Sequence, residues 1–173
     1  MILNLRVDHK IADVQSMENI AKEIDDLFWQ LQERYSIGEY IEISTCNRKE
    51  YYIHNDYISE DDDLLSHENQ SIIIEYGQSA VMHLLRMTSG LESMIVGEDQ
   101  ILGQVKDAKH KASKNHHCGR FLDTVFTKAI HVGQVVRNKT KINQSCYTTL
   151  KKRGFTSLLQ SVFIIKRRRQ HTR

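Results

Sequence analysis

The last thirty residues of this chain contain no aspartate and no glutamate. They hold eight of its 24 lysines and arginines and none of its 22 acids, so the formal charge of +2 conceals a net-acidic segment over 1–143 and a basic tail over 144–173. The tail's Lys151-Lys152-Arg153 and Lys166-Arg167-Arg168-Arg169 can touch phosphate, although a solvated end is the simpler explanation. Proline is absent throughout, which decides nothing by itself. No apolar run approaches membrane length, and Arg6 and Asp8 interrupt the start where a signal peptide needs its apolar region. Cysteine is scarce: Cys46, Cys118 and Cys146 are odd in number and lack paired spacing, which speaks against a secreted disulfide framework and for a reducing cytoplasm. The 173 residues, 40% hydrophobic and 27% charged, suffice for one soluble domain with a proper core.

Hydrophobic spacing supplies the order of elements. Leu3, Leu5 and Val7 alternate as in a strand, and Ile20, Ile24, Leu27, Phe28 and Leu31 then follow helical spacing. Ile41 and Ile43 alternate up to Cys46. Tyr51 and Ile53 mark another strand before the acidic loop near Ser59 to Asp63, and Ile72 to Ile74 a last one. A helix is predicted from Gln78 or Ser79 through Thr88, with Gly90 able to break or bend it. The stretch from Ser93 to Gln104 also reads as helix. Projected at about 100° per residue, it puts Ser93, Gly97, Gln100 and Gln104 on one polar face and Met94, Ile101, Val105, Ala108 and Ala112 on another side. That polar face suits a ligand or a close helix crossing at Gly97 equally well. Glu98 projects towards the apolar side, as a satisfied structural carboxylate would. A final helix carries Leu122, Val125, Phe126, Ala129, Val132 and Val136 to about Lys139. Strands first and helices later give an α+β class: a small, mostly antiparallel sheet with packed helices and a ferredoxin-like core, followed by a helical segment.

The chemistry centres on Ser44-Thr45-Cys46-Asn47-Arg48-Lys49-Glu50-Tyr51. A thiol at the end of a strand, two residues before an arginine, has what a nucleophile needs. A cation favours the thiolate, and a guanidinium fork holds a carboxylate through two hydrogen bonds. A small buried hydrophobe is the bland alternative for such a cysteine. Adjacent residues seldom converge on one ion, so His116-His117-Cys118 is not read as a metal site.

Together with the run from Ser89 through Gly97-Glu98-Asp99-Gln100 to Lys106, the motif Ser-Thr-Cys-Asn-Arg-x-Glu closely resembles the N-terminal catalytic domain of glutamyl-tRNA reductase, from about Leu3 to about Ile142. The resemblance implies that Cys46 attacks the aminoacyl ester of glutamyl-tRNA to form a thioester. In the full-length family NADPH then reduces it to glutamate-1-semialdehyde, the first step of the five-carbon route to tetrapyrroles. It further implies that Arg48 grips the substrate's side-chain carboxylate, that Thr45, Ser93 and Gln100 fix its polar groups, and that His83, in Ala80-Val81-Met82-His83-Leu84-Leu85, polarises the carbonyl or handles a proton. Asn47 shapes the turn. Glu98 is kept in the substrate-binding set beside its structural reading. The implied partners are glutamyl-tRNA and, as a candidate, glutamate-1-semialdehyde aminomutase; the family dimerises through a domain absent here, and no metal is implied.

The likeness stops near Ile142. There is no Gly-x-Gly-x-x-Gly and no room for a βαβ unit to cradle NADPH, so the expected organisation is a catalytic domain over 1–143 and a basic tail over 144–173, read as non-native or as a frameshifted remnant of the interdomain linker. Acyl transfer followed by hydrolysis is the activity expected of the chain alone, and a non-catalytic RNA- or protein-binding fragment is the rival reading.

Overall fold

In the computed structural model, residues 1–65, 71–94, 96, 98, 100–140 and 142 are described. The basic tail, Cys146 and Gly97 lie outside the described residues. The order is β1 (Ile2–Asp8), α1 (Val14–Tyr35), β2 (Glu39–Thr45), β3 (Arg48–His54), β4 (Ile73–Tyr76), α2 (Gly77–Thr88), α3 (Gln100–Lys114) and α4 (Arg120–Thr140). The four strands form one sheet in the order β2-β3-β1-β4, and every pairing is antiparallel. β1, α1 and β2 make a crossover that leaves room for β3 between its strands, which is the split arrangement of a ferredoxin-like core. The return from β3 to β4 carries no helix among its described residues.

The sheet separates two cores. Leu3, Leu5, Val7, Tyr51 and Ile53 point to the α1 side and meet Met17, Ile20, Ile24, Phe28 and Leu31, the helical stripe of α1. Asp13 starts that helix by accepting the Ser16 amide at 2.8 Å. The opposite side joins Ile2, Ile41, Ile43 and Tyr52 to Leu84, Met87, Ile101, Val105, Leu122 and Phe126 from the three later helices. α2 and α4 cross closely: a Cβ on Gly133 would stand 2.6 Å from the Thr88 carbonyl oxygen, and Arg137 Nε donates to that oxygen at 3.0 Å.

The strands, α1, α2 and α4 fall where the spacing predicts them, although α1 runs from Val14 to Tyr35, well beyond its Ile20–Leu31 stripe, and β3 starts at Arg48, before Tyr51. The helix expected from Ser93 to Gln104 is corrected. α2 ends in a capping turn in which Leu91 N–H donates to Arg86 O and Gly90 N–H to Met87 O, with Gly90 at φ 82°. This αL cap stops the helix by spending its last carbonyls. Residues 91–94 then run as irregular chain and α3 begins only at Gln100. Ser93 and Gln100 therefore do not share a helix face, and the helical projection of Glu98 lapses with it.

Candidate active site at the β2–β3 turn

Thr45 pairs with Arg48 across the β2–β3 ladder, so Cys46 and Asn47 form a two-residue turn. Cys46 is exposed there. Thr45 Oγ1 accepts the Asn47 amide at 3.2 Å and Asn47 O accepts the His9 amide at 3.1 Å, which fixes the turn to the end of β1. Thr45 is thus part of the turn's own bonding, with its hydroxyl hydrogen still available to a ligand.

Side chains alternate along a strand, so the residues of β1 and β3 that do not face α1 face α2: Asn4, Arg6 and Asp8 beside Tyr52, Glu50 and Arg48, in register. All six are buried. Arg48 donates from Nη1 to Glu50 Oε1 at 2.8 Å and to Met87 Sδ at 3.1 Å, and from Nη2 to the Glu92 carbonyl oxygen. Those three bonds leave two of the five guanidinium N–H donors for a ligand. Glu50 is completely buried and also accepts from Tyr52 Oη at 3.1 Å. His83 Nε2 lies 3.2 and 3.1 Å from its two oxygens. An ionised carboxylate only accepts, so Nε2 carries the proton and Nδ1 is the ring atom left over. Burial alone would raise the Glu50 carboxyl, but His83 and Arg48, with Arg6 beyond, outweigh it and hold it at about 2.

A cleft of about 620 Å³ opens beside this cluster, lined among others by Arg6, Glu75, His83, Arg86 and Glu92. Arg6 forks onto Glu75, with Nη1 at 2.7 Å and Nη2 at 3.1 Å from its oxygens. Glu92 receives Lys10 Nζ and Arg86 Nε on its carboxylate. Burial would raise that carboxyl too; the hydrogen bonds from Lys10 and Arg86 lower it overall. Ser93 is buried, and its hydroxyl has no hydrogen-bond partner. Such a group needs an explanation, and a ligand atom is one.

The structure thus joins Arg48, Glu50 and His83 directly and brings the Ser93 segment to Arg48 through the Glu92 carbonyl. Gln100 is exposed at the start of α3 and Glu98 is half-buried just before it. No hydrogen bond or ion pair joins Cys46 to Arg48 or His83 among the described residues. Glu50, Arg6, Glu75 and Glu92 were missed in the sequence. For Glu50, Arg6 and Glu75 the signal was the phase of the strands, since once Leu3, Leu5 and Val7 occupy one face, Asn4, Arg6 and Asp8 must occupy the other; Glu92, outside any strand, carried no such signal. His116-His117-Cys118 form no metal-holding group, and no such group occurs among the described residues. Burial raises the Cys118 thiol above its ordinary value, which makes it a poorer nucleophile.

The family profile described as "Glutamyl-tRNAGlu reductase, N-terminal domain" matches residues 5–140. The chain belongs to the glutamyl-tRNA reductase family. It is 76% identical over 144 residues to a glutamyl-tRNA reductase of Methanobrevibacter smithii, a match covering 83% of this chain and 36% of that protein. With the enzyme of the same name from Methanothermobacter marburgensis it shares 47% identity, again over 83% of this chain and 35% of the relative. The solved glutamyl-tRNA reductase from Methanopyrus kandleri superposes with a TM-score of 0.64 at 32% identity, covering 80% of this chain and 34% of that one. The chain therefore spans about a third of the length of these relatives. Among the described residues no helix is long and apolar enough to cross a membrane.

Proposed function

We propose that this domain takes the glutamyl group from glutamyl-tRNA onto Cys46. The observation that carries the reading is the exposed thiol on a rigid turn whose flanking strand leads, through Arg48 and Glu92, to an unpartnered buried serine hydroxyl. The Cys46 thiolate adds to the ester carbonyl carbon. The bond from that carbon to the tRNA ribose oxygen breaks, and the tRNA leaves as the protonated alcohol, giving a thioester on the protein. Arg48, with its two remaining donors, receives the substrate's side-chain carboxylate, and Ser93 and Thr45 donate to its polar atoms. His83 is oriented by Glu50 and offers Nδ1 for a proton. Gln100 and Glu98 border the substrate from the start of α3.

NADPH supplies hydride in the family reaction, but the described residues do not fit it. No two neighbouring strands of the sheet are parallel, since β3 splits the β1–α1–β2 crossover, and the sequence has no Gly-x-Gly-x-x-Gly at a strand-to-helix turn for a pyrophosphate. The proposal therefore ends at the thioester, which water can hydrolyse. Glutamate-1-semialdehyde aminomutase as partner and cytoplasmic residence follow from the same reading.

Intact-protein mass after mixing with glutamyl-tRNA and an acid quench tests it. A glutamyl increment is expected on the native chain and none on Cys46→Ser. Equal binding of charged and uncharged tRNA, with no increment and no dependence on Cys46, would favour a binding fragment instead.

A further inference from the structure

Residues 92–94 belong to neither helix nor strand, yet they carry Ser93. Among the described residues this segment makes three hydrogen bonds, and all three pass through Glu92. Its carboxylate takes Lys10 from the chain after β1 and Arg86 from the last turn of α2, while its carbonyl oxygen takes Arg48 from β3. Met94 and Val96, which follow, are exposed and add no packing to hold the segment down. Glu92 itself is buried, so its charge depends on those two cations.

We propose that Glu92 is a positioning residue whose carboxylate, clamped between Lys10 and Arg86, fixes the irregular segment so that its carbonyl orients Arg48 and its neighbour Ser93 faces the ligand. The inference rests on the reading of Arg48 and Ser93 as the groups that receive the glutamyl moiety. Neutralising the carboxylate releases the segment, takes the carbonyl from Arg48 and moves the Ser93 hydroxyl. Small displacements of orienting groups are costly at a reacting centre, up to about a hundredfold for 1 Å.

The test compares the full chain with Glu92→Gln and Glu92→Asp in two measurements. The first needs no substrate: proton exchange of the Arg48 guanidinium by 15N NMR, expected to quicken about tenfold in Glu92→Gln and to be partly restored in Glu92→Asp. The second is the rate of Cys46 acylation against glutamyl-tRNA concentration. Half-saturation is expected to rise about tenfold in Glu92→Gln while the limiting rate changes less than about threefold, a split that general loss of folded protein would not produce. Unchanged Arg48 exchange and unchanged half-saturation in Glu92→Gln overturn the proposal. If that variant does not fold, Lys10→Met removes one arm of the clamp from a half-exposed position and must shift both readings in the same direction. If the native chain forms no adduct, the acyl-transfer reading falls, and Arg48 exchange still decides whether Glu92 is the tether.

Discussion

The two faces of the sheet differ in what they bury. Towards α1, Leu3, Leu5, Val7, Tyr51 and Ile53 meet a mainly apolar layer led by Phe28, whose ring stacks on Tyr51 at 4.2 Å between centroids, and the buried charge of Lys49 there is paired with Asp25 and Glu42. Towards α2, β1 and β3 are apolar at one end, where Ile2 and Tyr52 lie, and charged at the other, where Arg6, Asp8, Arg48 and Glu50 lie. The charged end is the one that carries the Cys46 turn. Charged groups lose their hydration when buried, and pairing recovers that cost only with good geometry. A fold seeking stability alone would fill both faces with aliphatic side chains. The difference teaches that the α1 face holds the domain together while the α2 face spends stability on an ordered polar cluster.

The largest break in this comparison comes from the apolar face. Phe28→Ala removes a buried ring and is expected to cost about 3–5 kcal/mol by chemical denaturation, while Cys46 acylation per folded molecule stays unchanged. On the polar face, Glu50→Gln leaves Arg48 and His83 facing a neutral amide and is expected to cost about 3 kcal/mol near neutral pH. The folded Glu50 carboxyl titrates at about 2, below its ordinary 4.5. Its contribution is therefore complete above 4.5 and is lost as pH falls towards 2. The stability gap between the native chain and Glu50→Gln should narrow through that window. A constant gap would show that Glu50 acts by shape and not by charge.

The same contrast explains what the sequence made legible. Apolar alternation and helical stripes report burial, so β1 to β4, α1, α2 and α4 were readable, and with them the class. The position of the Cys46 thiol was readable because it directly follows the alternating strand β2. The polar cluster was not, because Arg6 and Asp8 look like interruptions until β1 is seen to be covered on both sides. The course of residues 89–94 was not readable either. Gly90 was read as a possible break and does cap α2 by local bonds, but the helical period that follows, genuine as a pattern, is overridden by the tertiary contacts of Glu92 with Lys10 and Arg48.

Two smaller substitutions sharpen the division. Gly133→Ala pushes a methyl group against the Thr88 carbonyl, where the contact is backbone and cannot swing aside, so a loss of about 1–3 kcal/mol is expected. Because Thr88 ends α2, just before the Ser93 segment, this change should also slow acylation, unlike Phe28→Ala.

Ser36→Gly is the smallest and the only stabilising one. Ser36 caps α1 at φ 47°, where a Cβ costs about 1–2 kcal/mol and glycine costs none. Glycine gives back about 0.5–1 kcal/mol through the greater freedom of the unfolded chain. The balance is a gain of about 0.5 kcal/mol, seen as a higher midpoint in thermal unfolding. Since α1 lies on the side of the sheet away from Glu50 and His83, that gain should leave the acid profile set by Glu50 and the acylation of Cys46 untouched. A change in either would mean that strain at the end of α1 reaches across the sheet, and that the two faces are coupled.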